Sequence, residues 1–90
     1  MTLRTAQYTV NSLAPTRIVA KSLNPQRCLI HNHEHASNLE MFLGTSTVSI
    51  TTGLHIPSLE RVDFILNPDE ELFAITDKDT AIVHVFVQGD

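Results

Sequence analysis

The sequence predicts an all-β domain, either a small antiparallel sandwich or a jelly-roll-like barrel of about eight short strands. Segments rich in β-branched and aromatic residues recur roughly every eight to twelve positions, with turn residues between them. No stretch has the 3.6-residue apolar period of an amphipathic helix. The 90 residues suffice for one hydrophobic core. We therefore expect residues 1–90 to form a single β domain.

The first half of the chain holds five predicted strands, at residues 5–10, 16–20, 27–31, 39–43 and 48–51. Pro15 and Pro25 lie between strands, where no ladder N–H is needed. Gly44 and Gly53 flank the fifth segment and can supply the positive φ of tight turns. Residues 1–14 show only a weak alternation of apolar and polar residues. They are either a first edge strand or an extended arm that reaches a neighbouring subunit.

The second half holds three predicted strands, at residues 60–66, 72–76 and 81–88. The first of these has one polar face, because Arg61 and Asp63 alternate with apolar residues. The other two strands are apolar on both faces, whereas a two-layer sandwich buries only one face of each sheet. The second face is covered either by a neighbouring subunit or by the chain's own N-terminal segment. The residues predicted at an oligomer or capsid interface are Val83, Val85, Phe86, Val87, Phe73 and Ile75.

Charge is low and unevenly distributed. Charged residues make up 18% of the chain, against roughly 25% in an average soluble domain. Residues 1–33 carry a net charge of +4 and residues 34–90 a net charge of −8. Either a basic face of one copy meets an acidic face of another, or early and late strands pair within one sheet. The sequence lacks the dense basic stripe that is typical of nucleic-acid binding. It also lacks an apolar run of the kind that forms a membrane span or a secretory signal.

The single cysteine, Cys28, lies in an apolar string, which predicts a buried and inert thiol. No disulfide framework or four-ligand zinc pattern stabilises this small domain, and we expect no cofactor. Oligomerisation is the leading alternative source of stability. No serine lies in a glycine-flanked elbow and no phosphate loop is present, so we expect no enzyme and no catalytic residues. Glu70 and Glu71 follow a proline turn and are typical of a solvated acidic loop.

The histidines at positions 31, 33 and 35 alternate, so an extended backbone would place them on one face. His33 and His35, with Glu40, resemble the first metal-binding motif of the cupins. That resemblance implies a transition ion held by these three residues. The sequence lacks the glycine expected before the first histidine, and no second cupin motif follows. The alternative, which we favour, is a solvated loop without a metal.

A second resemblance runs from Arg27 to Val87 and rests on the order of five short pieces. The pieces are Leu29–Asn32, Met41–Gly44, Val48–Gly53, Leu72–Ile75 and Val83–Val87. In this order they resemble small structural proteins of tailed bacteriophages. The resemblance implies a virion protein, most simply a capsid decoration (cement) protein on the outside of a phage head. A head or tail fibre subunit with an adhesive or carbohydrate-binding role is the alternative.

The same resemblance implies partners and a location. The chain would form a homo-oligomer, with a trimer favoured, and would contact the major capsid protein or another virion protein. Assembly in the host cytoplasm would lead to a final location in the virion. The resemblance carries no catalytic residues.

Overall fold

The computed structural model describes residues 2–33, 39–57 and 59–89. It confirms the all-β sandwich of about eight short strands. None of the described residues form a helix long and apolar enough to cross a membrane. The strands are β1 (Thr2–Asn11), β2 (Thr16–Val19), β3 (Gln26–Asn32), β4 (Met41–Gly44), β5 (Leu54–Ile56), β6 (Arg61–Leu66), β7 (Leu72–Thr76) and β8 (Thr80–Gly89).

The strands form two four-stranded sheets in jelly-roll order. One sheet has the order β1-β8-β3-β6 and the other β2-β7-β4-β5. The first strand pairs with the last, the second with the seventh, the third with the sixth and the fourth with the fifth, all antiparallel. This is the nesting obtained when one long hairpin is rolled into two sheets.

The N-terminal segment is an edge strand of this domain. Ten register pairs join β1 to β8, from Thr2 opposite Gly89 to Asn11 opposite Thr80. Of the two alternatives for residues 1–14, the structure thus has the edge strand for residues 2–11. These residues pair within the chain and do not extend away from it.

The core lies between the sheets and follows the period of two. β8 contributes Val83, Val85 and Val87, and β3 contributes Cys28 and Ile30. The opposite sheet supplies buried residues that include Ile18, Met41, Leu43, Leu72 and Ala74. Each fully buried aliphatic side chain contributes about 1.5–3 kcal/mol relative to exposure.

The ion pairs between early and late strands lie within the domain. Arg17 Nη1 is 3.3 Å from Glu71 Oε2, and Arg27 Nη2 is 3.7 Å from Asp63 Oδ2. Two basic residues of early strands therefore pair with acidic residues of the later half of the chain. Because these side chains are partly or largely exposed to solvent, each pair contributes only about 0–1 kcal/mol.

The predicted strand at residues 48–51 is wrong. These residues form a turn, and the strand in this region is Leu54–Ile56, which lies outside the predicted strands. The backbone N–H of Gly53 donates to the carbonyl of Ser49 (3.0 Å), and the N–H of Ser49 donates to Thr52 Oγ1 (3.1 Å). Serine and threonine side chains compete in this way with strand pairing, although their β-branched neighbours favour strands.

The proposed positive φ at Gly44 and Gly53 is also wrong. None of the three glycines has a positive φ, which occurs instead at Leu59, Asp69 and Asp79. Both glycines are needed for close packing around Val48. A Cβ on Gly44 would lie 2.9 Å from Val48 Cγ2, and one on Gly53 would lie 2.8 Å from the same atom.

Candidate functional site

The outer face of the β1-β8-β3-β6 sheet carries an exposed apolar surface, here called the outer patch and defined as Leu3, Leu29, Ile65 and Phe86. Leu29 and Phe86 are register partners across β3 and β8. Leu3, Ile65 and Phe86 are 60%, 65% and 47% exposed. Because alternate residues of these strands fill the core, the outer patch is the opposite side of the same pleats.

A shallow depression of about 190 Å³ lies within the outer patch, lined in part by Leu3, Leu29 and Phe86. Polar groups border it, since Arg27 and Asp63 form their ion pair on the same face. An apolar centre with a charged rim is the usual anatomy of a protein–protein contact. Exposed apolar side chains grouped on one face in this way mark interaction sites on soluble domains.

The predicted interface residues need revision, because three of the six lie in the core. Val83, Val85 and Val87 are 0%, 1% and 6% exposed. The opposite sheet covers them, so they stabilise the fold and cannot touch a partner. Phe86 lies on the opposite face of β8 from these valines, as the alternation predicted, and the structure shows that this face is the outward one.

The remaining two predicted residues, Phe73 and Ile75, lie on the outer face of the other sheet. Both are half-buried. Ile75 is the register partner of Phe42, whose ring stacks on His55 with centroids 5.2 Å apart. The predicted set therefore divides among the core and two opposite outer faces, and the more exposed apolar surface is the outer patch.

Three histidines converge beside the outer patch. His31 of β3 is the register partner of His84 of β8, and His33 follows β3 on the same face. One ring nitrogen from each lies within 4.8 Å of one from each of the others. Ring centroids of His33 and His84 are 4.3 Å apart in a stacked arrangement, and His31 lies 5.3 Å and 6.1 Å from them.

This cluster differs from the ligand set of the cupin resemblance. Glu40 Oε1 lies 3.1 Å from His55 Nε2, and Glu40 is not grouped with His33. His35 lies outside the described residues. The sequence did not predict that His84 would join the other histidines, since its only signal was that His84 shares a face of the last strand with Phe86. Its pairing with His31 depends on the β3–β8 register.

The thiol of Cys28 is fully buried between the sheets. Burial raises the pKa of Cys28 above its ordinary value of 9.0, and the positive charge of Arg4 offsets part of this effect. The group is therefore a protonated thiol at neutral pH. Since the thiolate is the reactive form, the arrangement gives no nucleophile.

Comparison with known proteins shows a likeness to a solved structure. No family model matches the chain, and no curated protein matches it. Among solved structures, the chain is similar to one from Bacillus endospore appendages, described as a family of disulfide-linked pili. The TM-score is 0.57 at 9% identity, over 96% of this chain and 82% of the other. At this identity the likeness shows a shared β fold.

Proposed function

We propose that this chain is a structural subunit that assembles with other proteins through the outer patch. The observation that carries the proposal is the exposure of Leu3, Ile65 and Phe86 together on one sheet face. Removing such side chains from water stabilises a contact by roughly 25 cal/mol per Å² of apolar area. Repetition over many copies makes a modest contact sufficient for a stable assembly.

The structural neighbour supports self-assembly as the mode of action, since it comes from pili. Those pili are disulfide-linked, whereas the single cysteine of this chain is buried. Contacts made by these 90 residues would therefore be non-covalent. The outer patch supplies a surface for such contacts without any thiol chemistry.

The finer proposal is a capsid decoration protein on the outside of a phage head, a virion component that associates as a trimer. The ordered pieces between Arg27 and Val87 that resemble phage structural proteins support it. The jelly-roll topology agrees with this proposal, because the fold is common in viral capsid proteins. The major capsid protein would be the partner. A head or tail fibre subunit is the second candidate.

The assembly proposal is tested by measuring the mass of the protein in solution. We expect a closed oligomer for the native chain and a monomer for Phe86→Glu, because a buried unpaired carboxylate is costly. The matched control is Leu13→Glu, since Leu13 is 90% exposed and lies outside the sheets. Light scattering after size exclusion gives the mass. An unchanged mass in Phe86→Glu, with the native chain oligomeric, would refute the role of the outer patch.

The virion proposal is tested separately, on particles from the strain that carries the gene. Density-gradient fractions would be probed with an antibody against the chain, and labelled particles would be imaged by electron microscopy. We expect the chain to sediment with the heads. Label on tails or fibres would favour the second candidate, and a chain found only away from particles would contradict both.

A further inference from the structure

We propose that His31, His33 and His84 form a binding site for a divalent transition metal ion of the zinc, nickel or copper type. The proposal stands independently of the assembly through the outer patch. Neutral imidazole is a preferred ligand of these ions, and three protein ligands leave a fourth position for water. The three residues are half-buried, so an ion from solvent can reach them.

The backbone that carries the three imidazoles is fixed by pairing. His31 and His84 face each other in the central pair of the sheet, β3 and β8. The N–H of His33 donates to the carbonyl of Ile82 at 2.9 Å, which extends this pairing past the end of β3. Ligands placed on paired strands are held more accurately than ligands on loops. The cluster is therefore a consequence of register.

The observed distances require only side-chain movement for coordination. The grouped nitrogens lie within 4.8 Å of one another. Nitrogens bound at about 2.0–2.1 Å to a tetrahedral ion are about 3.3–3.4 Å apart. His33 and His84 are stacked with an interplanar angle of 19°, so coordination by both needs rotation of at least one ring. The terminal torsion of histidine has broad minima, and such rotation costs little.

One neighbouring charge opposes the ion. Arg61 of β6 is the register partner of His31 and lines a depression with His31 and His84. Its guanidinium repels a divalent cation, although solvent reduces the effect because Arg61 is exposed. Replacing Arg61 by glutamine should therefore tighten binding by roughly fivefold, because a nearby unit charge repels a divalent ion by about this much in a high-dielectric environment. A site made of these histidines has this charge dependence, whereas a site elsewhere on the chain lacks it.

The experiment is calorimetric titration of untagged full-length protein with Zn²⁺, accompanied by native mass spectrometry. We expect one ion per chain. His84→Ala, His31→Ala and His33→Ala should each weaken binding by at least about tenfold, because even outer-shell changes typically cost 10–100-fold. The matched control is His55→Ala, since His55 lies in the other sheet beside Glu40. Circular dichroism of each variant checks that the fold is retained.

His84→Ala decides the outcome, because His84 belongs to this cluster and not to the set of His33, His35 and Glu40. Loss of binding in folded His84→Ala, with tighter binding in Arg61→Gln, supports the site. Binding that survives His84→Ala, or that is lost only in His35→Ala or Glu40→Gln, overturns it. Absence of a bound ion in the native chain also overturns it. If His84→Ala does not fold, His84→Gln gives the same comparison with a larger polar side chain.

Discussion

Asn32 Nδ2 lies 3.1 Å from the carbonyl oxygen of Ile56, and this hydrogen bond joins the two sheets. Asn32 belongs to β3 and Ile56 to β5, the short edge strand of the opposite sheet. The same amide lies 3.3 Å from the carbonyl of Pro57. The backbone of Asn32 adds two bonds, accepting from the N–H of Leu59 and donating to the carbonyl of Glu60. One buried asparagine thus anchors the segment that contains β5.

Replacing Asn32 by leucine should destabilise the domain by about 2–3 kcal/mol, because an apolar side chain of similar size leaves buried carbonyls with fewer partners. Urea denaturation measures the change in free energy of unfolding. Asn24→Leu is the control, since Asn24 is exposed and should change stability by less than about 0.5 kcal/mol. Equal effects of the two substitutions would show that Asn32 does not join the sheets.

Gly44→Ala should destabilise by about 1–3 kcal/mol, because the added methyl group overpacks the site beside Val48. Val48→Ala removes the atom that lies 2.9 Å from that methyl group, so the double variant should cost less than the sum of the single variants. Thermal and urea unfolding of all four proteins completes this cycle. Simple additivity would mean that the two residues are not in contact.

The raised pKa of Cys28 predicts a dependence of stability on alkaline pH. Below pH 9.0 the thiol is protonated in both the folded and unfolded states, so its contribution to stability is fully present. Above pH 9.0 the thiol loses its proton in the unfolded state first. Its contribution to stability therefore falls as the pH rises towards the pKa of Cys28 in the folded state. Above pH 9.0 the free energy of unfolding of the native chain should therefore decline more steeply than that of Cys28→Ala. Parallel declines would place the thiol in contact with water.

The ion pair between Arg27 and Asp63 should contribute little to stability. The two side chains are 68% and 62% exposed, and their closest atoms are 3.7 Å apart. Asp63→Asn should change the free energy of unfolding by less than about 1 kcal/mol. Thermal unfolding at low and high salt measures both the effect and its screening. A larger loss would give charge pairing between early and late strands a structural role.

Seven of the eight predicted strand segments correspond to observed strands, because burial against the opposite sheet enforces the period of two. The wrongly predicted segment, at residues 48–51, has strand-like composition, but the hydroxyl groups of Ser49 and Thr52 accept hydrogen bonds from its backbone N–H groups. Composition cannot separate these outcomes, since threonine favours both strands and side-chain-capped turns. The strand Leu54–Ile56 is too short for an alternation to be recognised.

The candidate site could be predicted from the sequence only in part, because it depends on which strands become neighbours in the sheet. The alternation in β8 correctly separates Val85 from Phe86, but it does not indicate which face meets the opposite sheet. The histidine cluster likewise requires that residue 31 pair with residue 84, a contact between distant parts of the chain. Long-range register follows from the whole set of pairings, and no local pattern encodes it.

The pairing of β1 with β8 also bears on how the chain is made. At about 5–20 residues per second, the ribosome needs several seconds to reach the last strand after completing the first. During that time β1 has no hydrogen-bonding partner, and neither does the β8 side of β3. Topologies dominated by such distant contacts fold in milliseconds to seconds. The nascent chain therefore has open strand edges on β1 and β3 until β8 emerges from the ribosome.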